Sequence, residues 1–287
     1  MMLKKNKFFI VCLLILSCNT AKKNNHSPAD AYSYTVQKKV IVDNGAVVSA
    51  HPLASQAGVE ILKKGGNAID AAIATQLALA VVYPQAGNLG GGGFMVAKLS
   101  DGREVSIDYR EMAPGKATRD MYVDQSGIAQ TDKSQDGHLS SGVPGTIAGL
   151  FESAKYGKLS FDKLIQPAIE LAEKGFIIRD REARNLNGLQ DELKKFNTVM
   201  PVFVKNASWK AGDTLIQTDL ANTLKRIRDK GAAGFYEGET ARLIVEEMKR
   251  GGGIITLDDL KNYKAKSREP HTFTYKGYKV VGMPMEE

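Results

Sequence analysis

The sequence predicts a mixed α+β fold, built as one domain behind an N-terminal export segment. Three observations lead there. Helical segments with apolar residues at three- and four-residue spacing recur from residue 52 to residue 263. Between the second and third of them lie two alternating segments joined by Asp101-Gly102, the pattern of a β-hairpin. No linker or low-complexity block divides the chain after residue 40. With 287 residues, 43% hydrophobic and 25% charged, the chain can bury a sizeable core. That composition excludes disorder throughout, and the lack of a sustained period excludes collagen-like or coiled-coil architecture.

The first segment reads as an address. Lys4, Lys5 and Lys7 precede the apolar run Phe8 to Leu16, which ends in Ser17-Cys18. As a helix the run would span about 13 Å, against roughly 30 Å of bilayer hydrocarbon, so it is an export signal and not a membrane span. Ile15-Leu16-Ser17-Cys18 resembles a bacterial lipobox, which implies a multiply acylated Cys18 at the mature N-terminus. The alternative is a plain signal cleaved a few residues later. Residues 1–17 are thus expected to be a lipoprotein signal peptide and 18–39 a polar, flexible tether. The domain itself is expected over 40–287. Removing the signal takes away three lysines and no acid, so a formal charge of +7 falls to +4. Cys12 leaves with the signal, and Cys18 is the lipid attachment point.

Along the body, Val40 to Ser49 alternates like a strand-pair edge around Asp43-Asn44-Gly45. A helix is expected from Pro52 to Lys64, stopped by Gly65-Gly66. Asn67 caps a second, Ala68 to Val82, which is apolar on every face and so belongs in a core. Its single acid, Asp70, sits where the helix dipole favours negative charge. A glycine-rich loop, Pro84 to Gly93, leads into the hairpin, and Glu111 to Gly142 reads as a polar surface excursion. Helical patterns follow within Pro144 to Gly175, including Phe161 to Lys174, then at Arg181 to Phe196, Asp219 to Lys230 and Thr240 to Lys249. A short helix over Leu257 to Tyr263 is capped by Thr256 or Asp258, and Phe273 to Met283 reads as a strand pair around Lys276-Gly277.

Candidate chemistry is sparse. The glycine loop follows a helix and leads into a strand, the reverse of a phosphate loop, and carries no Gly-Lys-Ser/Thr ending. Tight packing where no Cβ fits is the better reading. His26, His51, His138 and His271 lack metal-ligand spacing, and Ser140-Ser141-Gly142-Val143-Pro144-Gly145 is no nucleophile elbow. Neither Asp70, Asp108 nor Glu111 stands out singly. Arg110, just past the second hairpin strand, could hold a substrate carboxylate through its planar fork of donors. A structural ion pair with Asp108 or Glu111 is the competing role. The basic charge is spread among acids with no basic helix or aromatic RNA motif, so a nucleic-acid partner has no support.

Several motifs in order resemble the γ-glutamyltransferase (glutathione hydrolase) family. These are His51-Pro52-Leu53-Ala54-Ser55, Gly65 to Ala72, Pro84 through the glycine run to Phe94, Asp108 to Pro114, and Ser141-Gly142-Val143-Pro144-Gly145. Tyr156-Gly157 to Gly175, Gly234-Phe235-Tyr236, and Gly252 to Thr256 with Asp259-Leu260 extend the likeness over nearly all of residues 40 to 284. The resemblance implies an N-terminal nucleophile hydrolase, an αββα sandwich made as a precursor that cuts itself into a large and a small subunit. The new N-terminal threonine of the small subunit attacks the γ-glutamyl amide, with its own α-amine as base. Arg110 matches the large-subunit arginine that binds the α-carboxylate of the γ-glutamyl group. No cofactor or metal is implied; the partners implied are glutathione or another γ-glutamyl compound, the small subunit, and a membrane reached through the lipid anchor.

The chain departs from the family at Gly282-Met283-Pro284-Met285-Glu286-Glu287, where relatives continue toward the self-cleaving threonine. The expectation is a truncated large subunit with an incomplete sandwich, exposed apolar sheet edges and no catalytic residue of its own. None of its threonines takes that role. A non-catalytic fragment or split-gene partner, and a cephalosporin or glutaryl acylase or polyglutamate-processing enzyme of the same fold, are the alternatives.

Overall fold

The computed structural model describes residues 41–284. The predicted signal (1–17), Cys18 with the tether (18–39), and Met285-Glu286-Glu287 lie outside the described residues.

Helix α1 (Pro52–Lys63) begins at a histidine cap, the Nδ1 of His51 accepting the Leu53 N–H at 3.2 Å, with proline in the first turn. Helix α2 (Ala68–Val82) begins at a reciprocal capping box between Asn67 and Asp70. The hairpin follows as β1 (Phe94–Lys98) and β2 (Glu104–Asp108). The chain continues through α3 (Thr131–Gln135), a 3₁₀ turn at His138–Ser140, α4 (Thr146–Ala154), α5 (Phe161–Lys174) and β3 (Phe176–Ile177). Then come α6 (Asp180–Gly188), α7 (Gln190–Phe196), β4 (Thr214–Leu215), α8 (Thr218–Lys230), α9 (Ala233–Tyr236), α10 (Gly238–Gly251) and α11 (Leu257–Asn262). The last elements are β5 (Lys266–Arg268), β6 (His271–Tyr275) and β7 (Tyr278–Gly282).

Helix α2 packs against α1, α5 and α4, which explains why it is apolar on all faces. Helix α8 extends the layer beyond α5, and the shared core holds Ile61, Ile73, Leu77, Leu164, Ile165, Ile169, Leu224 and Ile227, all fully buried. Helix α4 touches both α2 and β2, joining the helical layer to a sheet of order β1-β2-β5. That sheet is antiparallel, with Phe94 opposite Asp108 on one side of β2 and Lys266 opposite Asp108 on the other. Its apolar surface is not fully covered: Phe94 is 49% and Val96 41% exposed, and Phe273, Tyr275 and Tyr278 of the β6–β7 hairpin are also exposed. The hairpin turns through Lys276 (φ 48°) and Gly277 (φ 80°), two consecutive left-handed residues that match the twist of its strands.

Two sequence expectations change. Residues 41–49 form no strand; Ile41 and Val48 are 73% and 93% exposed, and no strand among the described residues pairs with the segment. Instead Val47 lies against α1, where a Cβ on Gly58 would meet its side chain at 2.8 Å. The helix expected over 181–196 breaks at Leu189, because Asn187 and Gln190 turn their side-chain amides to the main chain at Trp209 and Phe203. The short strands β3, β4 and β5 had no signal in the pattern.

Candidate functional site

The site is built where β2 runs out. Tyr109 makes the last ladder pair, exchanging hydrogen bonds with Gly93 at 3.0 and 3.3 Å. Three residues later Met112 pairs with Val143, at 3.2 and 2.7 Å. Arg110 therefore lies between two fixed points, and glycines fix how closely they approach. A Cβ at Gly92 would sit 2.5 Å from the Tyr109 carbonyl, and one at Gly145 only 2.0 Å from it. One at Gly142 would meet Glu111 at 2.8 Å, and one at Gly149 the Tyr109 ring at 2.1 Å. The glycine run before β1, the Asp108–Pro114 stretch and the Ser141–Gly145 stretch thus converge on one residue. A side chain at Gly92 or Gly145 would displace the Tyr109 carbonyl that immediately precedes Arg110, and one at Gly142 or Gly149 would push on the flanking Glu111 and Tyr109 side chains.

Beside Arg110 lies a depression of about 230 Å³ lined by Asp108, Glu111, Met112, Tyr263, Lys264 and Lys266, among others. Asp108 is buried and committed: one carboxylate oxygen pairs with Arg268 at 2.8 Å and the other accepts the Arg110 N–H at 3.0 Å. The Arg110 guanidinium itself is exposed and forms no ion pair among the described residues, so the competing structural role with Asp108 or Glu111 is not realised. The Arg110 carbonyl accepts the Tyr263 hydroxyl at 2.7 Å. Burial, with the Asp108 and Glu111 carboxylates nearby, pushes the Tyr263 phenol above its ordinary value and keeps it a donor. Farther out, the Asp259 carboxylate caps α11 and reaches across to accept the Gly115 N–H at 2.8 Å, tying down the loop after Arg110.

Sequence reasoning found Arg110 but not Tyr263, Arg268 or Asp259's second role. Their partners are more than a hundred residues away, and no local spacing encodes such pairs. Cys18 lies outside the described residues. No group of three or more His, Cys, Asp or Glu side chains converges among the described residues.

The helical layer packed on an antiparallel sheet, with an arginine presented at a strand end, makes this an α+β protein, and the structures it resembles place it in the N-terminal nucleophile hydrolase class. The solved structures similar to it support that class. The Helicobacter pylori gamma-glutamyltranspeptidase is 45% identical with a TM-score of 0.83, over 86% of this chain and 71% of that one. The cephalosporin acylase of Bacillus halodurans is 30% identical with a TM-score of 0.75, over 89% of this chain and 49% of that one. The glutathione hydrolase proenzyme of Escherichia coli is 45% identical over 282 residues, 96% of this chain and 48% of the relative. A family model described as Gamma-glutamyltranspeptidase matches residues 54–287. The chain belongs to the gamma-glutamyltranspeptidase family, and it spans about half the length of the curated relatives it matches.

Proposed function

We propose that this chain is the large-subunit part of an enzyme that hydrolyses or transfers the γ-glutamyl group of glutathione and related compounds. Arg110 is its anchor for the substrate α-carboxylate. The observation that carries this is the pairing of Asp108 with Arg268, which leaves the Arg110 fork at the lip of the depression without a carboxylate partner among the described residues. The nucleophile is the N-terminal threonine of a small subunit supplied from outside this sequence. Its hydroxyl adds to the γ-carbonyl carbon while its α-amine takes the proton. The C–N bond breaks, the leaving amine receives that proton, and an ester remains. Water or an acceptor amine then takes the acyl group and frees the hydroxyl. By itself this chain binds and orients but does not turn substrate over.

The test is co-expression with the small-subunit part of the Escherichia coli relative, assayed on γ-glutamyl p-nitroanilide. The assembly is expected to hydrolyse it and the chain alone is not; an inactive assembly would remove the reading. A bidentate charged pair contributes about 2–3 kcal/mol, so Arg110→Ala should raise KM about 30- to 150-fold. A 4-aminobutyryl anilide, which lacks the α-carboxylate, should be indifferent to that substitution. Faster turnover of a glutaryl anilide than of the γ-glutamyl one would move the protein to the acylase reading.

Export and anchoring belong to the same proposal. No helix among the described residues is long and apolar enough to cross a membrane. Acylation at Cys18 would place the enzyme on the outer side of a bacterial membrane. Labelled palmitate should enter the full chain and not its Cys18→Ser variant; equal labelling of both would exclude the anchor.

A further inference from the structure

Arg110 has an unusual main chain. Both of its backbone polar groups are held by side chains and neither by a strand ladder: the N–H by Asp108 at 3.0 Å, the carbonyl by Tyr263 at 2.7 Å. Asp108 is itself fixed by Arg268, one strand over. Tyr263 is fixed differently. It is only 8% exposed, and its ring stacks on Tyr236 at 5.9 Å with planes 7° apart. The Tyr236 hydroxyl donates to the Pro144 carbonyl at 2.9 Å and accepts the Ala148 N–H at 3.1 Å. The paired tyrosines therefore pin the two main-chain segments that meet at the Met112–Val143 bridge. Gly145 makes room for this, since a Cβ there would lie 2.2 Å from the Tyr263 hydroxyl.

We propose that Tyr263 is a positioning residue for substrate binding, setting through the Arg110 carbonyl the direction in which the guanidinium meets the substrate carboxylate. The proposal rests on the reading of Arg110 given above. A two-point carboxylate contact tolerates only a few tenths of an ångström of drift, so a single main-chain hydrogen bond at the root of the side chain governs affinity. Tyr263 lines the same depression, yet its hydroxyl is turned to the Arg110 carbonyl. It acts through Arg110 and not on the substrate.

The test uses the co-expressed assembly. Tyr263→Phe removes one oxygen and keeps the ring stack. It is expected to raise KM for γ-glutamyl p-nitroanilide five- to tenfold with kcat within twofold, and to leave KM for the 4-aminobutyryl anilide unchanged. Combined with Arg110→Ala it should add nothing further to KM. Gln217→Met, which deletes a buried bond to the Val81 carbonyl in the helical layer, is the control for lost stability. A KM change in the control equal to that of Tyr263→Phe, an effect on kcat alone, or additivity with Arg110→Ala would each overturn the positioning role. If Arg110→Ala itself leaves KM unchanged, the carboxylate-anchor reading falls first. If Arg110→Ala raises KM and Tyr263→Phe does not, the anchor stands and this inference fails.

Discussion

Asp70 shows at the scale of one residue how a charged side chain is fully used by the fold. From the pattern alone it is an acid placed to suit the dipole of α2. In the structure it is completely buried, accepting the Asn67 N–H at 2.8 Å, the Lys158 N–H at 2.9 Å and, more weakly, the Leu159 N–H at 3.4 Å. The Tyr156-Gly157 motif is shaped around it, for a Cβ at Gly157 would stand 2.3 Å from its carboxylate. Asp70→Ala deletes a cap and strands at least one buried donor, so the loss should be on the order of 3 kcal/mol. The midpoint of urea unfolding measures it. A loss under about 1 kcal/mol would mean that only the cap contributes and that the tie to Lys158 is replaced by water. Arg110 is the opposite case. It too sits in a sequence motif, but the fold takes both its backbone groups and gives its guanidinium no ion pair among the described residues.

At the scale of elements, the glycine-rich loop and helix α4 form one device. The Gly91 carbonyl accepts the N–H groups of Gly145 and Thr146 at 2.8 and 3.0 Å, so the loop supplies the acceptor that the start of α4 lacks. The Thr146 hydroxyl donates to the Asn88 side chain at 2.7 Å, closing the contact. Gly145 and Gly149, one helical turn apart, let the Tyr109 segment lie against α4. The sequence reading of this loop as close packing holds at Gly91, Gly92 and Gly93, while Gly90 has open space around it. What was legible follows from range. Periodicity and capping residues mark α1, α2, α5 and α8 because the forces that form a helix act over four residues. The turn chemistry of Asp101-Gly102 and Lys276-Gly277 marks the hairpins for the same reason. Residues 41–49 form no strand because alternation makes one only when another strand lies beside it, and none among the described residues does. Strand β5 was invisible because Lys266–Arg268 is too short and too polar to alternate; the Arg268–Asp108 pair and the β2 ladder hold it. Arg110 was reachable from local sequence. The Tyr263 hydroxyl that holds it was not.

At the scale of the whole molecule, two buried-edge carboxylates make stability depend on acid. Glu182 on α6 accepts from His51 Nε2 at 2.8 Å and from Arg179 at 2.6 Å, joining α6 to the start of α1. The His51 proton must sit on Nε2, because Nδ1 accepts the Leu53 N–H. Glu247 on α10 accepts from His138 at 2.7 Å, from the Thr198 hydroxyl at 2.6 Å and from Arg250 at 2.6 Å, fastening the end of the polar excursion to the helical layer. Burial would raise both carboxyls, but hydrogen bonds from His51 and Arg179 to one, and from Thr198, His138 and Arg250 to the other, hold each down to about 2 from an ordinary 4.5. A depressed folded value means the stabilisation is complete above about pH 4.5 and is lost as pH falls from there toward about 2. For Glu182, whose side chain is 17% exposed, the upper bound is roughly 3 kcal/mol. Unfolding midpoints should therefore be level from neutral pH to about 5 and fall steeply below about 4.5. Glu182→Gln and Glu247→Gln should each flatten the acid limb while lowering the neutral plateau, and the double variant should flatten it further. An acid limb of unchanged slope in both single variants would assign the acid sensitivity to other carboxylates. A plateau that drops only in Glu182→Gln would show that the excursion opens locally, without reaching the core that presents Arg110.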